Sequence, residues 1–516
     1  MKKGIFKLFI FSLFAGIAMQ SCNKQLDIEP RNQVDASTVL TSKAGVEAAL
    51  NSVYSVLKSE RLYGRDMFSV PEAMADVAFA NGRSSRLLGE NRNQNGGNMA
   101  NWTTSYGAIN EINLILDAIP SIGDATTADK ARWEGELKFL RGLYYFDLAK
   151  NYAYIPTFVI ASQNKGGVVL NLKGFNKPED AIAFKPSRAS IADTYEQILS
   201  DLYTAVELLA NNGRGGSTAR NYASKHAALA LGSRVALYQG NWSRADSFAT
   251  AAITLSNGIG TMTNTANYVQ GWRVADHPEG IFQVWFSTLT ENLGVNTSLA
   301  ATHTTLSAPG AFAGTRQGQG DLVPNAFLLT QLGISGFPSG LAASSNLTAN
   351  PPVNPPALTY SNDIRNRLFE WGANASGHYI EVTKWLGKNG SPNWDNSVVI
   401  RWPELYLNRA EARFQMGNEA TAWQDLNVIR SARYVGFTVP AVQDFTGQAL
   451  LNEILRQRML EYAFEGYRFY DLKRYGLSIV KTSPVVNLPA NDFRLLPAIP
   501  QSNIDGNPNM QQNFGY

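Results

Sequence analysis

The sequence predicts a mostly α-helical protein in which a scaffold of paired helices is interrupted by an irregular, loop-rich region with short strands. Apolar residues recur with helical spacing in two blocks, about 41–255 and 399–474. The region between them, 256–398, is rich in Gly, Ser, Thr, Asn and Pro and shows only scattered periodicity. Its short apolar segment 281–286 is typical of a strand.

The chain begins with features of a secretory leader. Lys2 and Lys3 precede an apolar stretch over residues 5–18, which is too short to span a bilayer. Cys22, the only cysteine of the chain, follows directly after a small residue. We therefore predict a lipoprotein signal peptide over 1–21, acylation of Cys22 and a flexible tether over 22–40, because several acyl chains on one cysteine give durable anchoring.

The charge of the chain argues against a nucleic-acid partner. The formal net charge of +3 comes entirely from the leader, whose three lysines are unaccompanied by acidic residues. Removal of residues 1–21 leaves a neutral protein with no basic run, and nucleic-acid binding depends on such an electrostatic footprint. We expect no nucleic-acid partner.

The helices that follow the tether are predicted over 41–255 and continue over 399–516, on either side of the loop-rich region 256–398. Two sites suggest helix pairs of the tetratricopeptide type. Gly240 is followed at the tetratricopeptide spacing by Trp242 and Ala245, and Gly417 is followed by Ala422 at the same offset. In each case the glycine ends one amphipathic helix and the small residue lies on the next. Stacked pairs of this kind form concave binding surfaces.

A search for catalytic and metal-binding motifs is negative, and we predict no catalytic residue, no metal site and no cofactor. Metal-ligand spacings of His and Cys, nucleophile elbows and phosphate-binding loops are absent from the sequence. Two pairs of glutamates lie on helical faces, namely Glu404 with Glu411 and Glu461 with Glu465. Because arginines surround both pairs, we interpret them as structural ion pairs. A glycosidase, which needs only two carboxylates from separate places, is left open.

Aromatic and amide side chains are the positive indication of a ligand. Trp and Tyr rings pack on the flat faces of sugar rings, while polar side chains bind the hydroxyl groups. Two segments offer such residues. The polar loop 76–98 and the loop-rich region 256–398 supply the candidate ligand-binding residues Asp76, Asn81, Arg83, Tyr268, Trp272, Trp371, Tyr379 and Trp394. Burial of any of these aromatic rings under its own loop is the alternative.

Ordered motifs along nearly the whole chain resemble the SusD/RagB family of glycan-binding lipoproteins. The motifs occupy Ser21 to Pro30, 101–113, 135–148, 281–283, 401–412, 458–474, 496–500 and 507–516. The most specific are the last four. In them, Arg401 to Ala412 reads RWPELYLNRAEA, and an Arg-x-x-Glu-x-x-Phe-Glu-Gly-x-Arg run begins at Arg458.

The resemblance implies four tetratricopeptide-like helix pairs and a ligand site in the irregular subdomain. It further implies a glycan ligand, no catalytic activity, and an outer-membrane location facing the cell exterior. The partner that it implies is a TonB-dependent outer-membrane transporter of the SusC type, on which the protein forms a hinged lid. A lid subunit for another nutrient such as a peptide is the alternative from a different functional class.

Three departures from the family pattern bear on these expectations. The usual Tyr-Gly-Gly-x-Pro is replaced by residues 152–156, and Gln457 stands where the family usually has Glu, so we expect one scaffold salt bridge to be missing. The loop 76–98 holds no Trp or Tyr, whereas starch binders of the family place stacking aromatics there. This last difference argues against starch but not against other glycans.

Overall fold

The computed structural model describes residues 39–216, 220–256, 262–312, 314, 316–337, 356–373, 379–481 and 485–516. The predicted leader 1–21, the acylation site Cys22 and nearly all of the tether 22–40 lie outside the described residues.

The described chain is dominated by helices, and its strands are short, which confirms the predicted fold class. The helices are α1 Lys43–Val56, α2 Asp66–Met74, α3 Leu88–Asn91, α4 Trp102–Ala118, α5 Thr127–Tyr152, α6 Pro178–Ala183, α7 Ile191–Leu208, α8 Lys225–Gln239, α9 Trp242–Thr254, α10 Tyr268–Gly271, α11 Gly294–Thr297, α12 Leu299–His303, α13 Ala326–Gln331, α14 Trp402–Gln415, α15 Glu419–Arg433, α16 Gly447–Glu461, α17 Arg468–Arg474 and α18 Gln501–Asp505. The strands are β1 Ala78–Ala80, β2 Gly280–Val284, β3 Leu322–Pro324, β4 Ile334–Ser335, β5 Thr359–Tyr360, β6 Phe369–Trp371, β7 Ile380–Val382 and β8 Ser397–Arg401.

The long helices stack one on the next. Helix α4 packs on α1 and α5, α5 on α7, α7 on α8, and α8 on α9. Helix α9 packs in turn on α14, which contacts α15 and α16. Each helix therefore buries one face against its predecessor and another against its successor, which is how tetratricopeptide-type repeats bury a continuous core.

The two predicted glycine sites end their helices in the same way. Gly240 and Gly417 have φ values of 76° and 81°. The amide of each glycine donates to the carbonyl three residues back, and the next amide donates to the carbonyl five residues back. This is the Schellman arrangement, which favours glycine because an L side chain is strained at positive φ. The following helices bury Ala245 and Ala422 completely.

Substitution of Gly417 by alanine is expected to lower the free energy of unfolding by about 1–2 kcal/mol, the cost of a left-handed residue that carries a Cβ. A Cβ at Gly417 meets no atom within 4 Å, so backbone strain is the only expected contribution. Gly107→Ala is the matched control, since Gly107 lies within α4 and its Cβ also meets nothing within 4 Å. That change is expected to stabilise the protein by up to about 1 kcal/mol. Denaturant unfolding of both variants measures the opposite signs, and a neutral Gly417→Ala would contradict the argument.

The loop-rich middle region shares its core with the helical scaffold. Strand β2 pairs with β8 in antiparallel fashion, with Gly280 opposite Arg401, directly before α14 begins. Phe282 of β2 packs its ring 5.0 Å from that of Phe139 on α5. Among the residues that the structure describes, no helix is both long enough and apolar enough to cross a membrane.

The four glutamates that form the two helical-face pairs of the sequence analysis all lie in buried ion pairs. Glu404 binds Arg234 at 2.5 Å, and Glu411 binds Arg474. Glu461 and Glu465 both bind Arg401, whose side chain is 1% exposed. The predicted structural interpretation is confirmed by these contacts, although most of the partners come from distant parts of the chain rather than from the same helix.

The buried carboxyl group of Glu72 forms no salt bridge with any described residue. Glu72 on α2 is fully buried; one carboxyl oxygen accepts a hydrogen bond from the amide of Gly466 at 2.8 Å, and its Oε2 has no partner among the described residues. Burial raises the pKa of Glu72 to about 8. Between pH 4.5 and pH 8 the carboxyl group of Glu72 therefore stays protonated in the folded protein but ionises in the unfolded chain. The stability that the protonated Glu72 contributes is complete below pH 4.5 and is lost as the pH rises through 8.

The variant Glu72→Gln is expected to gain stability relative to the wild type as the pH rises from 5 to 8. The amide cannot ionise, so the difference in unfolding free energy grows by at least about 1.4 kcal/mol, the equivalent of one pKa unit. Denaturant unfolding at several pH values measures this difference. Glu196→Gln, at a side chain that is 54% exposed, is the control for the same chemical change at a carboxyl group that is in contact with water in the folded protein. Parallel pH profiles for Glu72→Gln and the wild type would disprove the assignment.

Candidate functional site

Four short strands bring the two predicted ligand segments together. Strand β1, from the loop 76–98, pairs with β3 so that Phe79 lies opposite Val323. Strands β6 and β7 pair so that Trp371 lies opposite Ile380. Because β3 packs against β7, residues that are about 300 positions apart along the chain meet at one surface.

An aromatic cluster forms where these strands meet. The rings of Phe79 and Tyr379 contact each other edge to face, with centroids 5.7 Å apart. Val323, Phe337 and Trp371 complete the cluster. Tyr379 is nearly buried, whereas Phe79 and Trp371 keep part of their surface open to solvent. The indole Nε1 of Trp371 donates to the carbonyl of Pro356 at 2.8 Å and so fixes the orientation of the ring.

Arg83 connects the aromatic cluster with a polar patch. Its guanidinium lies 4.8 Å from the centroid of the Tyr379 ring. It also donates to Glu381 at 2.5 Å and to the carbonyl of Gly320 at 3.3 Å. Asn81 donates from its Nδ2 to the same Gly320 carbonyl and accepts the Arg83 amide with its Oδ1. The guanidinium of Arg83 over the face of Tyr379 is a favourable cation–π arrangement. Its hydrogen bonds to Glu381 and to the carbonyl of Gly320 hold it in place.

Glu381 is the buried anchor of this arrangement. Its carboxylate is inaccessible to solvent and accepts the amide and the hydroxyl of Thr305 at 2.6 and 2.8 Å. Gly320 and Gly372 leave the space that it occupies, since a Cβ on Gly372 would lie 2.2 Å from the carboxyl carbon. Glu381 therefore positions Arg83 rather than contacting a ligand itself.

A polar cleft of about 630 Å³ lies next to Arg83. Its lining includes hydroxyl, amide and guanidinium groups and two carboxyl groups, namely those of Ser84, Ser85, Thr297, Asn296, Gln319, Arg86, Glu60 and Glu90. The Gln319 carbonyl accepts a hydrogen bond from Arg83 at 3.3 Å, which places the cleft next to the aromatic cluster. Hydroxyl, amide and guanidinium groups beside partly open rings are suited to binding a ligand with both apolar faces and hydroxyl groups.

The structure brings four of the eight sequence-predicted ligand residues together, namely Asn81, Arg83, Trp371 and Tyr379. Asp76 lies just before strand β1, but its carboxylate accepts two hydrogen bonds from the guanidinium of Arg468, each at 2.8 Å. Trp394 lies elsewhere, with its Nε1 donating to the carbonyl of Phe286 at 3.0 Å. Both side chains are thus engaged in contacts within the protein.

The expected exposure of Tyr268 and Trp272 is wrong. Tyr268 is 1% exposed and lies under the guanidinium of Arg433, 4.2 Å from its ring centroid. Trp272 is completely buried, with Lys384 at 4.8 Å and Arg401 at 5.6 Å from its ring. Their electron-rich faces are covered by the cations of the core, so neither ring offers an open face for a sugar.

Sequence reasoning missed Phe79 and Glu381. Phe79 stands between two alanines in a strand of three residues, which is too short for a periodic signal. Glu381 alternates with apolar neighbours, as a solvent-facing strand residue does, yet the structure buries it against Thr305. The alternation of β7 was visible in the sequence, but the arginine that pairs with Glu381 was not.

Comparisons with known proteins agree with this architecture. Residues 24–237 match a family model described as starch-binding proteins that associate with the outer membrane, and residues 357–516 match that of the SusD family. A SusD-like protein of Formosa agariphila is 24% identical, with 100% of this chain and 99% of that protein covered. The starch-binding protein SusD of Bacteroides thetaiotaomicron is 34% identical over 125 residues, which are 23% of this chain and 21% of that protein.

Solved structures show the same fold. A SusD superfamily protein from Bacteroides thetaiotaomicron is 26% identical and superposes with a TM-score of 0.74 over 92% of this chain and 99% of that one. A SusD-like carbohydrate binding protein from Bacteroides vulgatus, 19% identical, gives a TM-score of 0.71 over 91% of this chain and 97% of that one.

Proposed function

This chain belongs to the SusD/RagB family, and from that premise we propose that it captures a glycan outside the cell and delivers it to a TonB-dependent outer-membrane transporter. The family's association with glycans and with the outer membrane supports the ligand class and the location. The leader and Cys22 support anchoring by lipid. The transporter partner and the outward orientation rest on family membership.

The arrangement of Phe79, Arg83, Trp371 and Tyr379 is the observation that carries the proposal. Two partly open rings offer flat apolar surfaces, and Arg83 and Asn81 are fixed beside them by Glu381 and Gly320. A sugar ring stacked on Trp371 or Phe79 would place its hydroxyl groups towards this polar patch and the adjoining cleft. Pre-organised side chains lose little conformational entropy on binding, which favours affinity.

A binding role fits the site better than catalysis. A glycosidase uses two carboxyl groups about 5–10 Å apart in an open cleft, one of them free to exchange a proton. Here Glu381 is buried and accepts hydrogen bonds from Arg83 and Thr305. Of the two carboxyl groups that line the adjoining cleft, those of Glu60 and Glu90, the first pairs with Arg65 at 2.6 Å. Glu404, Glu411, Glu461 and Glu465 are likewise buried in ion pairs. We therefore propose a non-enzymatic glycan-binding protein.

The proposal is tested by titrating the purified protein with a panel of soluble starch, laminarin, xylan and mannan fragments in a calorimeter. Trp371→Ala is expected to weaken binding of the retained glycan at least about tenfold, because an aromatic contact contributes roughly 1.5 kcal/mol. Trp394→Ala removes the same side chain away from the aromatic cluster and is expected to bind as the wild type does. Circular dichroism of both variants verifies that the fold is retained.

Failure of the wild type to retain any glycan would overturn the proposed function. Unchanged binding by Trp371→Ala, together with a loss in Trp394→Ala, would instead move the site away from the aromatic cluster. Release of reducing sugar by the pure wild-type protein would contradict the non-enzymatic assignment.

A further inference from the structure

A second groove lies between helix α15 and residues 262–278 of the loop-rich region, apart from the aromatic cluster and its cleft. It consists of two adjoining hollows of about 600 and 510 Å³, which share Met262 and Asn264 on their common border. None of the described residues that line it belongs to the cluster of Phe79, Trp371 and Tyr379 or to the cleft beside Arg83.

One face of helix α15 forms the floor of the smaller hollow. Trp423, Asn427 and Ser431 lie at successive helical turns and line it together with the neighbouring row of Gln424 and Val428. The Trp423 ring is half-buried, and its Nε1 donates to Asp444 at 2.8 Å, so the ring is held in a fixed orientation. A rigid aromatic side chain on a helix provides a platform that needs little ordering on binding.

Carboxamides are the prevailing polar groups of this groove. Asn264, Asn267 and Gln270 line the larger hollow, and Gln424 and Asn427 line the smaller. A carboxamide both donates and accepts hydrogen bonds, as a sugar hydroxyl does. Asn427 is 4% exposed, and its Oδ1 accepts Arg430 at 2.8 Å, but its Nδ2 has no partner among the described residues. A buried donor without a partner is costly, and a ligand acceptor would remove that cost.

The groove presents little net charge. Its lining includes Arg220 and Asp276, which pair with each other at 2.8 Å. Met262, Val428 and Val439 add apolar surface near the Trp423 ring. A neutral ligand with alternating apolar faces and hydroxyl groups matches this lining better than a charged one.

We propose that this groove is a second binding site for a neutral, linear glycan, with Trp423 as the stacking platform and the carboxamides as the hydroxyl-binding groups. The inference rests on the proposed glycan-binding function for the class of ligand, but it assigns a different set of residues. Two sites on one chain bind a long polymer more tightly than either site alone, because the second contact is made within the complex.

Calorimetric titration with short fragments of the glycan that the wild type retains tests the second site. The wild type is expected to bind two fragments per chain, Trp371→Ala and Trp423→Ala one each, and the double variant none. Ser431→Arg provides an independent test, because the arginine fills the groove at an exposed position without removing packing. Ser200→Arg is its matched control, on an exposed helical position of α7 outside the lining. The blocked groove is expected to bind fragments at least about tenfold more weakly.

The outcomes separate the two assignments. If Ser431→Arg and Trp423→Ala keep the wild-type stoichiometry and affinity, the second groove is disproved while the proposed function stands. If Trp371→Ala abolishes all binding, the second groove is likewise disproved. If only the groove variants lose binding, the second groove holds and the aromatic cluster is not a glycan site. If the wild type retains no glycan, the proposed function fails, and this inference fails with it.

Discussion

Glu461→Gln is expected to lower the free energy of unfolding by about 3–5 kcal/mol, the usual cost of removing one partner from a buried ion pair. Glu461 is inaccessible to solvent and receives Arg433 at 2.9 Å and Arg365 at 3.4 Å as well as Arg401. The amide keeps the shape of the side chain but removes the negative charge between three buried guanidinium groups. Denaturant unfolding followed by tryptophan fluorescence measures the loss.

Asp444→Asn is the control for that substitution. Asp444 pairs with Arg430 at 2.8 Å, but its side chain is 30% exposed, so its loss is expected to cost at most about 1 kcal/mol. Equal costs for the two substitutions would contradict the view that burial makes the Glu461 pairs important.

The dependence of stability on acidic pH is a second measurement for Glu461→Gln. Burial raises the pKa of Glu461, but Arg433 and Arg401 outweigh that effect and hold it well below its ordinary value of 4.5. The stability that this lowered pKa contributes is present above pH 4.5 and is lost as the pH falls further. Glu461→Gln has no carboxyl group to protonate at this position, so it does not show this loss.

The helical scaffold was predictable because its signals are local. Gly240 and Gly417 each end a helix by a hydrogen-bond pattern that spans only six residues, and the small residues that follow lie on the next helix. Amphipathic periodicity depends only on neighbouring residues, so it can be recognised in the sequence. The surroundings of Gln457 were not predictable in this way. Its Oε1 accepts a hydrogen bond from Arg365 at 2.8 Å, and the two residues lie 92 positions apart along the chain.

The environment of the loop aromatics was not predictable, since it depends on contacts that are distant along the chain. The polar composition around Trp272 indicates a solvated loop, but the cations that cover its ring come from residues 384–401. Similarly, Asn81 and Trp371 were separate candidates in the sequence. They share a surface only because β3 packs on β7. Composition predicts whether a segment is a loop, but not which faces of the loop other segments cover.

Gly372→Ala is expected to disorganise the aromatic site and to weaken glycan binding at least about tenfold. Its Cβ would lie 2.2 Å from both the carboxyl carbon and one oxygen of Glu381. Glu381 cannot withdraw without losing its hydrogen bonds to Thr305 and its ion pair with Arg83. Overpacking of this kind costs about 1–3 kcal/mol, and part of that cost appears as displacement of Arg83 from the face of Tyr379. Calorimetry with the retained glycan measures the binding.

The comparison with Gly107→Ala separates the loss of space from the mere addition of a methyl group. Gly107 lies on an exposed turn of α4 and its Cβ meets nothing within 4 Å, so that variant should bind glycan as the wild type does. If Gly372→Ala also binds normally, Glu381 does not position a ligand-binding arginine, and the buried carboxylate serves the fold alone. If binding is lost in Gly372→Ala while the unfolding free energy falls by no more than about 3 kcal/mol, a folded protein with a misplaced Arg83 accounts for the loss. Binding at this surface then depends on the space that one glycine leaves for a buried carboxylate.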